Sequence, residues 1–167
     1  MPYRAPLADF RLLLDRVLGF DQVAATALFA DAAPETVEAI LTEAAKLCEN
    51  TLAPLNRAGD KTPARLENGV VRTSPGYSDG YKAITEGGWV GMSANPEFGG
   101  MGLPITLATC VNDMMGSACL ALQLNPLMTQ GQIEALEHHA SDEIPALYIP
   151  KLISGEWCGT MNLTEAG

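Results

Sequence analysis

Positive charge is sparse in this sequence. Its 167 residues include 10 lysines and arginines against 20 aspartates and glutamates, a formal net charge of −10. Nucleic acid is thereby excluded as the main partner, because binding phosphates needs clustered cations. No apolar run reads as long enough to cross a bilayer. The opening "MPYRAPLADFRLLLD" carries charges inside its apolar stretch and makes a poor signal peptide. A soluble, cytoplasmic protein is expected. The four cysteines, Cys48, Cys110, Cys119 and Cys158, match no zinc spacing. A nucleophilic cysteine would need a basic neighbour, and the sequence shows none. Internal repeats and low-complexity segments are also missing.

What remains is ordered and helical. Hydrophobic residues make up 47% and charged residues 18% of a chain long enough to bury a core, so it is not a disordered tail. A first amphipathic helix is expected over 7–18, with Phe10, Leu13, Leu14 and Val17 on one face. Asp21 suits the cap of a second, carrying Val23, Ala24, Ala27 and Leu28. Pro34 suits the first position of a third, whose stripe is Val37, Ile40, Leu41, Ala44, Cys48 and Leu52. Pro54 should interrupt it. Asn68-Gly69 marks a hairpin turn. Ser78 suits the cap of a helix over 79–86, ended by Gly87-Gly88. "WVGMSANPEFGGMGLP" mixes glycines and prolines with large apolar residues and reads as an ordered loop.

From Pro104 to Leu124 a central buried helix is expected, with Ile105, Leu107, Ala108, Val111, Met114, Met115, Ala118 and Leu122 inside. Gly116, Ser117 and Ala118 are small enough for close approach. Pro126 suits a new helix start, with Thr129 and Gln132 as a capping box. Ser141 suits the cap of the last helix, bent by Pro150 and ended near Gly155. From Trp157 to Thr164 alternation predicts a strand, with Trp157, Gly159, Met161 and Leu163 on one face. A lone strand cannot satisfy its backbone, so its sheet is expected in polypeptide beyond this sequence.

Three features admit a sharp and a bland reading. Adjacent His138 and His139 point about 100° apart on a helix and rarely share a metal ion; favourable contact with the helix C-terminus is the alternative. "EFGGMG" lacks the lysine and preceding strand of a phosphate loop and reads as structural. Met114, Met115 and Met128 suit either an adaptable pocket or core filling.

The segments "NPEFGGMGLP", "PLMTQGQIEALEHHAS" and "YIPKLISGEWCGTMNLTE", with the upstream "LAPLNRAGDKTPARLENGVVRTSPGYSDGYKAITEGGW", together resemble the acyl-CoA dehydrogenase family. They are most similar to its longer bacterial subgroup, which acts on 3-methylmercaptopropionyl-CoA and other acyl-CoAs. The resemblance implies a mainly α fold: the N-terminal helical domain of the acyl-CoA dehydrogenase fold, with the first strand of a truncated β-domain. The divisions it implies are a helical extension over 1–33, the helical domain over 34–156 and the start of the β-domain over 157–167. The implied chemistry is α,β-dehydrogenation of an acyl-CoA thioester, with FAD as cofactor and an electron-transferring flavoprotein as electron acceptor. Homo-oligomerisation is implied for the full-length form. The family's base lies in its C-terminal part, so Glu134, Glu137, Glu143, Glu156 and Glu165 take no catalytic role, and the chain alone should be inactive.

By the same resemblance, Met161, Leu163 and Thr164 match the family's flavin-ring segment. The match departs at Ala166, where proline is usual. Gln123, Leu124, Leu127, Met128 and Gly131 match positions near the acyl-chain pocket, with ordinary core packing as the alternative. A different functional class also stands: a stand-alone helical module that binds or assembles with a partner protein without catalysis.

Overall fold

The computed structural model describes residues 2–161. Helix α1 (Leu7–Leu12) runs into a π-helical turn, Leu13–Leu18, which ends at Gly19 in the left-handed region. Phe10 and Leu14 are buried, but Leu13 and Val17 are exposed. The wider π winding rotates the residues after Leu12 off the 3.6-residue period on which the expected stripe depended. Helix α2 (Phe20–Ala24) starts after Gly19, so Asp21 lies inside it and caps nothing. Val23 and Ala24 are half-buried; Ala27 and Leu28 face outward. This N-terminal segment is tied to the body by polar contacts. Tyr3 donates its hydroxyl to the Met114 carbonyl at 3.1 Å. Glu49 accepts from the Ala5 amide at 3.0 Å and from Arg4 at 2.7 Å.

Pro34 opens helix α3 (Pro34–Leu47), and Val37, Leu41, Ala44, Cys48 and Leu52 form its buried stripe, with Ile40 half-buried. The helix does not stop at Pro54. A π turn, Cys48–Leu52, carries it into α4 (Ala53–Lys61), where Pro54 falls in the first turn. A proline there forfeits a donor that the helix start leaves unpaired anyway. Strands β1 (Arg65–Glu67) and β2 (Val70–Arg72) pair antiparallel around Asn68 and Gly69, both at positive φ, as a type I′ hairpin requires. Helix α5 (Tyr77–Glu86) begins after the left-handed Gly76, one residue before Ser78, which therefore caps nothing.

The expected ordered loop follows. Met101, Leu103 and Gly102 donate backbone N–H to the carbonyls of Gly91, Met92 and Ala94 at 2.8, 2.9 and 3.0 Å, so the loop closes on itself. Gly100 is required there: a Cβ would lie 2.0 Å from the Ala94 carbonyl oxygen. Trp89 and Phe98 pack their rings against the core.

Helix α6 spans Ile105–His139 but is two arms, broken at Cys119, whose φ of −156° and ψ of 83° are not helical. The break follows the Gly116-Ser117 pair, a combination where helices bend. Gly116 itself makes no unusually close approach, since a Cβ there would meet only Leu120, at 3.9 Å. Leu107, Ala108, Val111, Met114, Met115, Ala118 and Leu122 are buried as expected, whereas Ile105 is exposed. The second arm starts well before Pro126, which lies inside it, and no Thr129–Gln132 capping box forms. By length and composition alone α6 passes for a membrane-crossing helix, yet it is broken at Cys119 and half of its most apolar window is buried against this chain. His138 and His139 occupy its last turn. Among the described residues no cluster of metal-ligating side chains occurs.

Helix α7 (Glu143–Ile153) follows Asp142. Ser141 contributes only its carbonyl, which accepts from the Ile144 amide at 3.0 Å. Gly155 ends the element in the left-handed region, packed on Thr85. Residues 157–161 form no strand. Residues 162–164, the remainder of the expected strand, lie outside the described residues. The core sits where the α3–α4 stripe meets the first arm of α6, with Leu41, Leu52, Leu107, Met114 and Met115 all essentially inaccessible.

Candidate functional site

The two arms of α6 fold back on each other and leave a wedge. The loop after α5 and the turn at Leu28-Phe29 close its sides. The result is a cavity of about 750 Å³. Its walls are mainly apolar, including Val90, Leu103, Ala108, Leu127 and Ile133. Eight of its twenty lining residues are polar, among them Asn112, Gln130, Glu134, Glu137 and His138. Glu137 accepts from the Asn95 amide at 3.1 Å and so fixes the loop to the second arm. An apolar hollow with a few convergent polar groups is the usual form of a small-molecule site.

Of the five residues matched to an acyl pocket, Leu127 and Gly131 line this cavity. Leu124 is exposed on the same arm and Met128 is half-buried; neither is in the cavity wall. Gln123 is 2% exposed and also stands back from the wall. Its amide is engaged elsewhere: Nε2 donates to Asn112 Oδ1 at 2.9 Å. Asn112 Nδ2 in turn donates to Gln130 Oε1 at 2.8 Å. Gln130 Nε2 then donates to the Trp89 carbonyl at 3.1 Å. Buried Gln123 Oε1 and Asn125 Oδ1 have no partner among the described residues. Sequence reasoning missed this chain of amides. Its trace was faint, because Asn112, Gln123 and Gln130 are three of many polar residues along these helical stretches.

The segment leading to Met161 is docked on the same arm. The Gly159 amide donates to Thr129 Oγ1 at 3.0 Å, and Thr129 passes its own proton to the Asn125 carbonyl at 3.0 Å. Only glycine fits this contact, because a Cβ would lie 2.9 Å from Thr129 Cα and 2.4 Å from Gln132 Oε1. Met161, two residues on, is 58% exposed. Leu163 and Thr164 lie outside the described residues. At the start of this segment Trp157 stacks at a tilt on Tyr148, with Lys151 Nζ 4.3 Å from its ring centre.

The thiols are not arranged for nucleophilic chemistry. Burial, and then the charge of Glu49, push the Cys48 thiol up to about 12. Burial, and then Asp113, raise that of Cys110. Cys158 is exposed and donates to the Tyr81 hydroxyl at 3.1 Å.

The architecture is a helical domain with a mainly apolar cavity between the two arms of α6. Residues 34–156 match the family described as acyl-CoA dehydrogenase, N-terminal domain, and the chain belongs to that family, one of oxidoreductases. It is 38% identical over 165 residues to 3-methylmercaptopropionyl-CoA dehydrogenase of Ruegeria pomeroyi, covering 99% of this chain and 28% of that protein. It is 27% identical over 140 residues to a butyryl-CoA dehydrogenase of Syntrophomonas wolfei, covering 80% of this chain and 22% of that protein. The chain thus spans less than a third of the length of the curated relatives it matches.

Proposed function

We infer that this chain is the N-terminal helical part of a flavin-dependent acyl-CoA dehydrogenase and supplies one wall of its acyl-chain pocket. The docking of Gly159 on Thr129 carries the reading. That bond joins the segment matched to the flavin site to the arm matched to the acyl pocket, at a residue between Leu127 and Gly131. Leu127 and the open face at Gly131 contribute apolar wall and space, which exclude water from an alkyl chain. The exposed Met161 suits one apolar side of a ring site, so the described part of the tail fits FAD. FAD held there would supply the hydride-accepting chemistry of α,β-dehydrogenation, with an electron-transferring flavoprotein as the electron acceptor. None of this chain's glutamates is assigned the base, and the isolated chain is inactive in dehydrogenation. An acyl-CoA substrate, homo-oligomerisation of the full-length form and a cytoplasmic location belong to the same reading. So does the division into an extension over 1–33, a helical domain over 34–156 and the opening of a β-domain.

Calorimetric titration of the purified chain with butyryl-CoA and longer acyl-CoAs tests the pocket. Gly131→Leu is the informative variant, because a Cβ at Gly131 meets nothing within 4 Å, so the new side chain starts in open space. Filling the wall should weaken binding by about tenfold, as expected for a few misplaced methylenes. No heat with any acyl-CoA would turn the reading toward a partner-binding helical module. Reduction of an electron acceptor by the chain with FAD and acyl-CoA would refute its inactivity.

A further inference from the structure

We propose that Asn112 is a positioning residue whose side chain clamps the second arm of α6 and so sets the width of the cavity. The proposal rests on the acyl-pocket reading only for what the cavity holds. Asn112 lies on the first arm, seven residues before the break at Cys119. Its single amide holds Gln123 on one side and Gln130 on the other. Those two are seven residues apart, two turns along one face of a helix. One side chain therefore grips the opposite arm at two points, and Gln130 continues the grip to the Trp89 turn. Leu127 lies between the gripped residues and Gly131 directly follows one of them, so the wall they form is placed by the clamp.

The chain of amides has a fixed direction. Each donates through nitrogen, Asn112 and Gln130 also accept through oxygen, and the chain ends on a carbonyl that can only accept. Asn112 must therefore offer one acceptor, to Gln123, and one donor, to Gln130. Packing alone makes no such demand. Gln123 Oε1 has no partner among the described residues. Three buried or half-buried amides cost desolvation that leucines at the same places would not. Their return is geometric: a network that fixes one arrangement of two helices joined by a bend.

Two variants separate polarity from packing. Asn112→Leu removes both bonds at similar volume. Asn112→Asp keeps the shape and the acceptor but has no donor while ionised. Gln130 would have to turn its NH₂ toward the carboxylate, leaving its oxygen against the Trp89 carbonyl. At pH 7.5, amide exchange over residues 120–131 should quicken by about tenfold relative to the parent in Asn112→Leu, which loses two hydrogen bonds, and by about threefold in Asn112→Asp, which loses one. Exchange over 37–48 should be unchanged. The carboxyl introduced by Asn112→Asp regains an O–H donor once protonated, so its fit returns as pH falls. Burial raises the pKa of such a carboxyl in the folded state above its unfolded value. The melting-temperature gap between Asn112→Asp and the parent should therefore narrow from pH 7.5 to pH 5, while that of Asn112→Leu stays constant. Unchanged exchange over 120–131, or equal gaps for both variants at both pH values, would overturn the clamp.

If either variant fails to fold, Gln130→Leu breaks only the outer links and is read the same way, with unchanged exchange again the overturning result. Calorimetry adds the positioning readout. The ratio of affinities for butyryl-CoA and palmitoyl-CoA should shift at least threefold in Asn112→Leu, and an unshifted ratio would refute the effect on width. A parent chain that binds no acyl-CoA would sink the pocket reading, while the exchange and melting results would still decide the clamp.

Discussion

Gly159 shows how much one hydrogen atom in place of a side chain can decide. Its amide reaches Thr129 because nothing projects from its Cα. Gly159→Ala should detach the tail, and Thr129→Val should remove the acceptor. Each should cost about 1–2 kcal/mol in urea unfolding, the usual loss when a buried donor is stranded. Equal midpoints for parent and variants would show that the contact contributes nothing. The cysteines differ at the same scale. A thiol reagent at pH 8 should modify Cys158 rapidly and leave Cys48, Cys110 and Cys119 slow, because burial keeps the last three inaccessible and holds Cys48 protonated. Glu49 is a third case. The Ala5 amide, then Arg4, hold its carboxyl below the ordinary value of 4.5. A lowered folded-state pKa means stability that is present above the unfolded value and lost as pH falls through the folded one. The melting-temperature deficit of Glu49→Gln should thus be constant near neutrality and shrink below pH 4.5. A deficit independent of pH would exclude the carboxylate's charge as its cause.

Among the elements, α3 was the most legible. Its stripe from Val37 to Leu52 keeps a regular period, and Pro34 marks its start. Leu41→Ala should cost about 2–5 kcal/mol, the range for a truncated core leucine, because Leu41 is 1% exposed. A loss below 1 kcal/mol, measured by denaturant unfolding, would mean that the site collapses around the cavity. The hairpin was legible too, since Asn-Gly favours positive φ at both turn positions. Prolines mislead, Pro54 as a break and Pro126 as a start. Proline tells only that one donor is missing. A π turn before Pro54, and burial of the arm that holds Pro126, made that loss tolerable. Polar candidates for caps, Asp21, Ser78 and Ser141, also failed, because glycines or backbone carbonyls already served the helix starts.

At the scale of the whole molecule, the family and the helical class were readable from ordered segments spread along the chain. The cavity was not. Leu127 and Gly131 were legible as candidates, yet Asn112, Gln130 and Thr129 entered only once the arms of α6 were seen folded together. Apolar side chains on the second arm and α7, among them Leu124 and Leu147, are exposed among the described residues.

The sequence by itself determined the helical class, the main buried stripes and the hairpin, because those follow from local periodicity and turn chemistry. Only the tertiary structure decided where α6 breaks, which amides meet across the break and what the tail rests on. Such contacts join residues distant in the chain, and their geometry depends on packing that no local pattern encodes.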